Sequence, residues 1–296
     1  MLWEELICLS QIWKGSTNGK AKNLTFGKIG NLGVASYCAF IFDPNGELLS
    51  KVCGDAWMED ISYSNGKFGF ASHDDHVYII SEDGKTVDKI HVGSHFNSAI
   101  TMTPNGFVAC SHNCGFFDFN GNKLWEVDVG YVTNGPAYYR GYWYVADMSW
   151  NKLWIIRDGE IIKNIDFPNA VWDTAVCDKY LGVSTQDSIR LYDLSKPENP
   201  EELWEKDEFA LPQHFSFSPD CKYIAVAVEK GKSLAILTIE GETVLRKKYG
   251  NREFADEVLS VDWFRNRIAV GLGDGRIYVY KVHDLGTPFS LKTEML

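Results

Sequence analysis

Apolar residues in this chain fall in short strand-like runs, each cut off by Asn-Gly, Pro-Asn-Gly or other turn residues before a helical period can build up. The pattern is most legible from Thr101 to Gly130, where three runs are separated by Pro104-Asn105-Gly106, by the polar group Ser111 to Cys114, and by Asn120-Gly121. With Ser98-Ala99-Ile100 in front, this stretch reads as four strands of an antiparallel meander. Asn and Gly tolerate the positive φ that tight hairpin turns require, which makes such pairs the strongest local hairpin signal.

The unit recurs. Glycines in one series of turns fall at Gly46, Gly84, Gly121 and Gly159, spaced 38, 37 and 38 residues apart, with Pro197-Asn199-Pro200 and Glu240-Gly241 continuing the series. A second series runs through Gly30-Asn31, Asn65-Gly66, Asn105-Gly106, Arg140-Gly141, Asp178-Lys179, Pro219-Asp220 and Asn266-Arg267. Two interleaved series with one period define seven repeats, beginning near Gly15, Gly54, Gly93, Gly130, Pro168, Phe209 and Gly250. The third strand of each is the clearest: CAFIFD, HVYIIS, GFFDF, KLWIIR, SIRLYDL, SLAILTI and RIYVYKV. These strands are apolar on both faces, as a sheet packed between two neighbouring sheets requires. The expected fold is an all-β, seven-bladed β-propeller of four-stranded antiparallel blades. A strand within residues 2–14 (its core Leu6 to Trp13) precedes the first repeat and is expected to close the last blade as its outermost strand; Phe289 to Thr293 is the competing candidate.

Composition narrows the class. The 296 residues carry a net charge of −11, with a pI near 5.1, which argues against a general phosphate-backbone binder. No apolar run approaches membrane-spanning length. Acidic Glu4 and Glu5 stand where a secretory signal would be positive. Seven cysteines without a short-spaced framework fit a reducing compartment, most of them as small buried hydrophobes. A cytoplasmic protein is expected, with no membrane partner.

TQDSIRLYDL (Thr185 to Leu194) and LGDGRIYVYKV (Leu272 to Val282) resemble the third strand of WD-repeat proteins, matching at Asp187, Tyr192 and Asp193 and at Asp274, Gly275 and Tyr280. FSFSPDCKYIAVAV (Phe215 to Val228) resembles the first two strands of that family, and NGNKLWEVDVG (Asn120 to Gly130) the outer strand of quinoprotein-type repeats. The opening Gly-His pair of a typical WD repeat is missing throughout, and no third strand ends in Trp-Asp. The resemblance implies a scaffold that binds other proteins and carries over no catalytic residue.

Three constellations suggest chemistry. Loops between second and third strands should share a face with the blade-to-blade connections and with one mouth of the central channel. SHDDH (Ser72 to His76) and SHNC (Ser111 to Cys114) occupy such loops on adjacent blades. His73, His76, His95, His112 and Cys114 are therefore candidate ligands for a divalent metal, against the plainer reading of polar loop residues satisfying tight turns. Glu59, Asn97, Asn134, Asp173 and Glu257 lie at or before first strands, where lactonase-type propellers hold a cation. Polar residues are expected at any water-filled mouth, however. Trp57, Phe96, Tyr131, Trp150, Trp172 and Phe254 fall in connections or loops of the same face and would make a partner-binding surface, about half of them exposed and the rest wedged between blades. No nucleophile elbow or phosphate-binding loop occurs, and the basic run Arg246-Lys247-Lys248 reads as a solvated outer strand. The leading expectation is a non-enzymatic protein-interaction scaffold, needing no cofactor, whose partner carries a basic segment. A metal-dependent hydrolase or lactonase using the channel is the alternative, and a quinone-dependent oxidoreductase is disfavoured.

Overall fold

The computed structural model describes residues 7–93 and 98–284. Those residues form seven four-stranded antiparallel sheets and no helix. The sheets stand in a ring of seven blades: residues 23–52, 58–91, 99–128, 137–166, 171–206, 212–248, and 258–284 completed by the N-terminal strand Ile7–Ser16. Six sheets follow chain order from the channel outward. In the seventh, Ile7–Ser16 pairs antiparallel with Arg276–Asp284 as the outermost strand, from Ile7 opposite Asp284 to Ser16 opposite Arg276. The expected closure is therefore the one found, and Phe289 to Thr293 lies outside the described residues.

Burial is divided among the interfaces between blades. Seven hydrophobic clusters occur, one per interface. Third strands such as Ala39–Phe42, whose four residues are all buried, are covered on both faces. Trp13, on the closing strand, belongs with Leu24, Phe26, Phe40 and Phe42 of blade 1.

The periodic glycines have a packing reason. Gly46, Gly84, Gly121, Gly159 and Gly241 all have positive φ, and each turn sits on the outer strand of the preceding blade. A Cβ at Gly46 would stand 2.8 Å from Trp13, at Gly159 2.7 Å from Trp125, and at Gly241 3.2 Å from Trp204. Trp13 thus occupies in blade 7 the place that Trp125 and Trp204 hold in blades 3 and 5.

Side chains of the inner strands stitch the ring together. Asp60 Oδ1 accepts from Asn23 of blade 1, and its Oδ2 accepts from Ile100 N of blade 3 at 2.7 Å. Thr101 Oγ1 donates to Pro136 O across the next interface (2.7 Å), and Ala137 N donates to Thr174 Oγ1 across the one after (3.1 Å). Phe215 N donates to Asp173 (3.3 Å) and Ser216 Oγ to Asp262 (2.8 Å), while Asp262 Oδ2 accepts from Phe26 N at 2.8 Å to close the circle. Every interface has such a link, so the buried acids satisfy neighbouring backbone donors.

The cysteines depart from expectation. Six of the seven stand in disulfides (Cys38–Cys53, Cys110–Cys114 and Cys177–Cys221) and only Cys8 is free. They are bonded pairs rather than isolated buried hydrophobes, which removes cysteine usage as support for a reducing compartment. Cys177–Cys221 joins the end of one inner strand to the first turn of the following blade.

Candidate functional site

The mouth of the channel is shaped by β-bulges. Register shifts interrupt the inner strands of blades 2, 5, 6 and 7 between Met58 and Asp60, Val171 and Asp173, Pro212 and His214, and Val258 and Ser260. A bulge leaves one residue without a cross-strand partner and re-aims its side chain. The four residues so displaced, Glu59, Trp172, Gln213 and Leu259, all line one cavity of about 170 Å³ at the mouth, together with Lys20, Lys22, Asn134 and Glu229. Asn134 and His214 also line the channel beyond, a polar cavity of about 400 Å³ walled by inner strands.

Acids and cations alternate around this mouth. Lys22 Nζ meets Glu59 Oε1 at 2.6 Å. Lys230 Nζ lies 3.0 Å from Glu257 Oε1 and 3.4 Å from Glu229 Oε1. His214 Nδ1 is 3.4 Å from Asp173 Oδ2. Burial depresses the pKa of His214, but Asp173, Asp60 and Glu59 outweigh it and hold the imidazolium above its usual range. Burial also raises Glu229, with Lys230 opposing and Glu257 assisting. Deeper in the wall, burial pushes Asp60 up to about 7, although Ile100 N–H, His214, Ile61 N–H and Asn23 all act to lower it.

The expected cation ligands are thus already engaged. Glu59 and Glu257 pair with lysines, Asp173 with His214 and the backbone, and Asn134 Nδ2 donates to Trp172 O at 2.8 Å. Asn97 lies outside the described residues. The histidines separate into aromatic pairs. His73 stacks on Trp57 with centroids 6.3 Å apart, His76 faces His91 across two strands at 5.1 Å, and His112 meets Tyr131 at 5.3 Å. Cys114 is bonded to Cys110, so its sulfur is not a thiolate ligand here, and His95 lies outside the described residues. Asp74 is held at about 2, against the opposing effect of burial, by hydrogen bonds from Tyr78, Ser72, Asp55 N and Lys89. Among the described residues, no three His, Cys, Asp or Glu side chains converge as a metal-ligand set.

The aromatic residues divide as their positions dictate. Trp57, Trp150 and Phe254 are exposed, Tyr131 and Trp172 are half-buried, and Phe96 lies outside the described residues. Tyr37, which no sequence signal marks, is 49% exposed and meets Trp57, 48% exposed, edge to face at 5.4 Å. Gly19 lies against the Tyr37 ring so closely that a Cβ there would clash with the ring as it stands. Lys22 Nζ sits 5.8 Å from the Trp57 ring centroid. Tyr37, Trp57, Ser36, Lys20 and Lys22 line a second, smaller cavity of about 80 Å³, which shares both lysines with the mouth. Tyr37 carried no signal because a lone Tyr in a Ser-Tyr-Cys turn looks like any other loop aromatic.

The fold and this face together define a seven-bladed propeller whose channel mouth is rimmed by exposed aromatics and paired charges. No protein-family model and no curated protein matches the chain.

Proposed function

We propose that the chain is a non-enzymatic interaction scaffold whose working surface is the channel-mouth face, where it takes a protein partner carrying a basic segment. The supporting observation is the Tyr37–Trp57–His73 stack, two large rings left half in solvent beside the channel mouth. Exposed aromatic side chains next to a cavity supply large contact area at low entropic cost and are the residue types that dominate binding energy. The net charge of −11, with Asp55, Asp187 and Glu253 exposed on the same face, favours a basic partner. The resemblance to WD-repeat strands points the same way, and the engaged acids at the mouth favour binding over metal-assisted hydrolysis.

Capture of partners from a lysate of the native source tests this reading. Tyr37→Ala with Trp57→Ala should lower recovery of the captured partner by at least about tenfold, as loss of two hot-spot residues implies. Both rings are half-exposed, so the melting temperature should move by only a few degrees. Ile29→Ala with Tyr138→Ala, exposed respectively at a turn between first and second strands and on a first strand next to such a turn, toward the opposite face, should leave capture intact. Equal capture by the first variant and the wild type would place the working surface elsewhere.

A further inference from the structure

We propose that the channel mouth is a binding site for a free α-amino acid, its ammonium received by Glu229 and its carboxylate by Lys20 and the Trp172 indole N–H. Glu229 is 8% exposed, and among the described residues only one of its oxygens, Oε1, has a partner, in Lys230; Oε2 is buried and accepts no hydrogen bond from them. Trp172 Nε1 is likewise buried without an acceptor. Both side chains line the 170 Å³ cavity. A buried donor or acceptor without a partner is costly to leave so, and a ligand that completes both recovers that cost on binding. One atom is an acceptor and the other a donor, and both polarities therefore have to be present in the same small ligand.

Charge around the cavity makes the same demand. Lys20 is exposed at its rim, is close enough to Glu229 to lower that carboxyl's pKa, and among the described residues has no ion-pair partner. Lys22 is taken by Glu59, and Lys230 is shared between Glu229 and Glu257. Burial and Glu257 both disfavour the ionised form of Glu229, and an ammonium group would relieve that. A purely anionic ligand would face Glu229 and Glu59, and a purely cationic one would face Lys20 and Lys22. A zwitterion answers both. Leu259 and the Trp172 ring supply an apolar wall for a small side chain. The volume is below the roughly 300 Å³ at which drug-sized sites begin, which restricts the ligand to about the size of a single amino acid.

Titration calorimetry with each free amino acid at millimolar concentration, on the full chain, tests the proposal. At least one should bind, and both its amide, which lacks the carboxylate, and its N-acetyl derivative, which lacks the ammonium, should bind at least about tenfold more weakly, as loss of one charge-assisted contact implies. Lys20→Ala should weaken the free amino acid by about tenfold while leaving the affinity of the amide unchanged. Glu229→Gln should weaken the free amino acid and spare the N-acetyl derivative. If Glu229→Gln fails to fold, the exposed Lys20 substitution decides. No binding by any amino acid, an amide or N-acetyl derivative that binds as tightly as the free amino acid, or indifference to Lys20→Ala overturns the proposal. Tyr37 and Trp57 do not line this cavity, so a negative result leaves the protein-capture reading standing.

Discussion

A chain lacking residues 1–16 is expected to lose cooperative unfolding and to associate through an open sheet edge. The missing segment includes the whole outer strand of blade 7, paired with Arg276–Asp284 along its length. Without it the first and last blades keep side-chain links such as Asp262 to Phe26 N but lose the strand that ties them covalently, and the unpaired edge of Arg276–Asp284 becomes a template for another chain. Two buried side chains go with it, Ile7 at the blade 6–7 interface and Trp13 at the blade 7–1 interface. Trp13 alone accounts for about 4 kcal/mol by the usual cost of emptying a buried aromatic site. A domain's whole stability is only about 5–15 kcal/mol, so both losses with the strand pairing leave little. Trp13→Ala in the intact chain should lower the melting temperature by on the order of 10 °C. Trp13→Phe should cost far less, because the indole Nε1 is buried and makes no hydrogen bond. A truncated chain that stays monomeric and melts within a few degrees of the full one would show that closure does not hold the ring.

Asp60→Ala should be the most costly single change within the channel wall, at about 3 kcal/mol. Its carboxylate accepts from Asn23 of blade 1, from Ile61 N at 2.8 Å in its own blade and from Ile100 N at 2.7 Å in blade 3, so one substitution orphans donors on three blades. Ser62, on the same strand, accepts Met102 N at 3.0 Å, and Ser62→Ala should cost about 1 kcal/mol. The Asp60 effect carries a pH signature. Burial raises its folded pKa from 3.8 to about 7, so the folded state holds a proton there that the unfolded chain has released. This group's contribution is therefore fully present below about pH 4 and declines as pH rises toward 7. His214, also raised, contributes with the same sign, and its share is lost as pH rises through its folded pKa. Urea denaturation should show a larger penalty for Asp60→Ala at pH 5 than at pH 8. A penalty that grows with pH would mean that Asp60 is stabilised in its charged form.

What could be read from the sequence follows from what repeats. The glycines at 46, 84, 121 and 159 are legible because each turn needs positive φ and sits against a neighbour's outer strand, a demand that recurs in four successive blades. Asn65-Gly66 and Arg140-Gly141 form hairpin turns with both residues at positive φ, as their position in the second series implies. The third strands are legible because burial on both faces leaves them continuously apolar. What was illegible depends on register or on distant partners. The bulges that turn Glu59, Trp172, Gln213 and Leu259 into the channel mouth have no local sequence mark, since a bulge is defined by the opposite strand. Acids at the mouth looked like free cation ligands because Lys22 and Lys230, which pair with Glu59 and Glu257, lie 37 and 27 residues away. Histidines grouped by loop position were separated by their rings, each drawn to an aromatic neighbour. The cysteines paired across turns that spacing alone does not bring together.

The channel-mouth face is the proposed working surface of this propeller. Photo-crosslinking tests it most directly, with a benzophenone amino acid placed at Trp57 in one protein and at Ile29, on the opposite face, in another. A partner band is expected from position 57, weakened when Tyr37→Ala is added, and none from position 29. A band from position 29 with none from position 57 would contradict it.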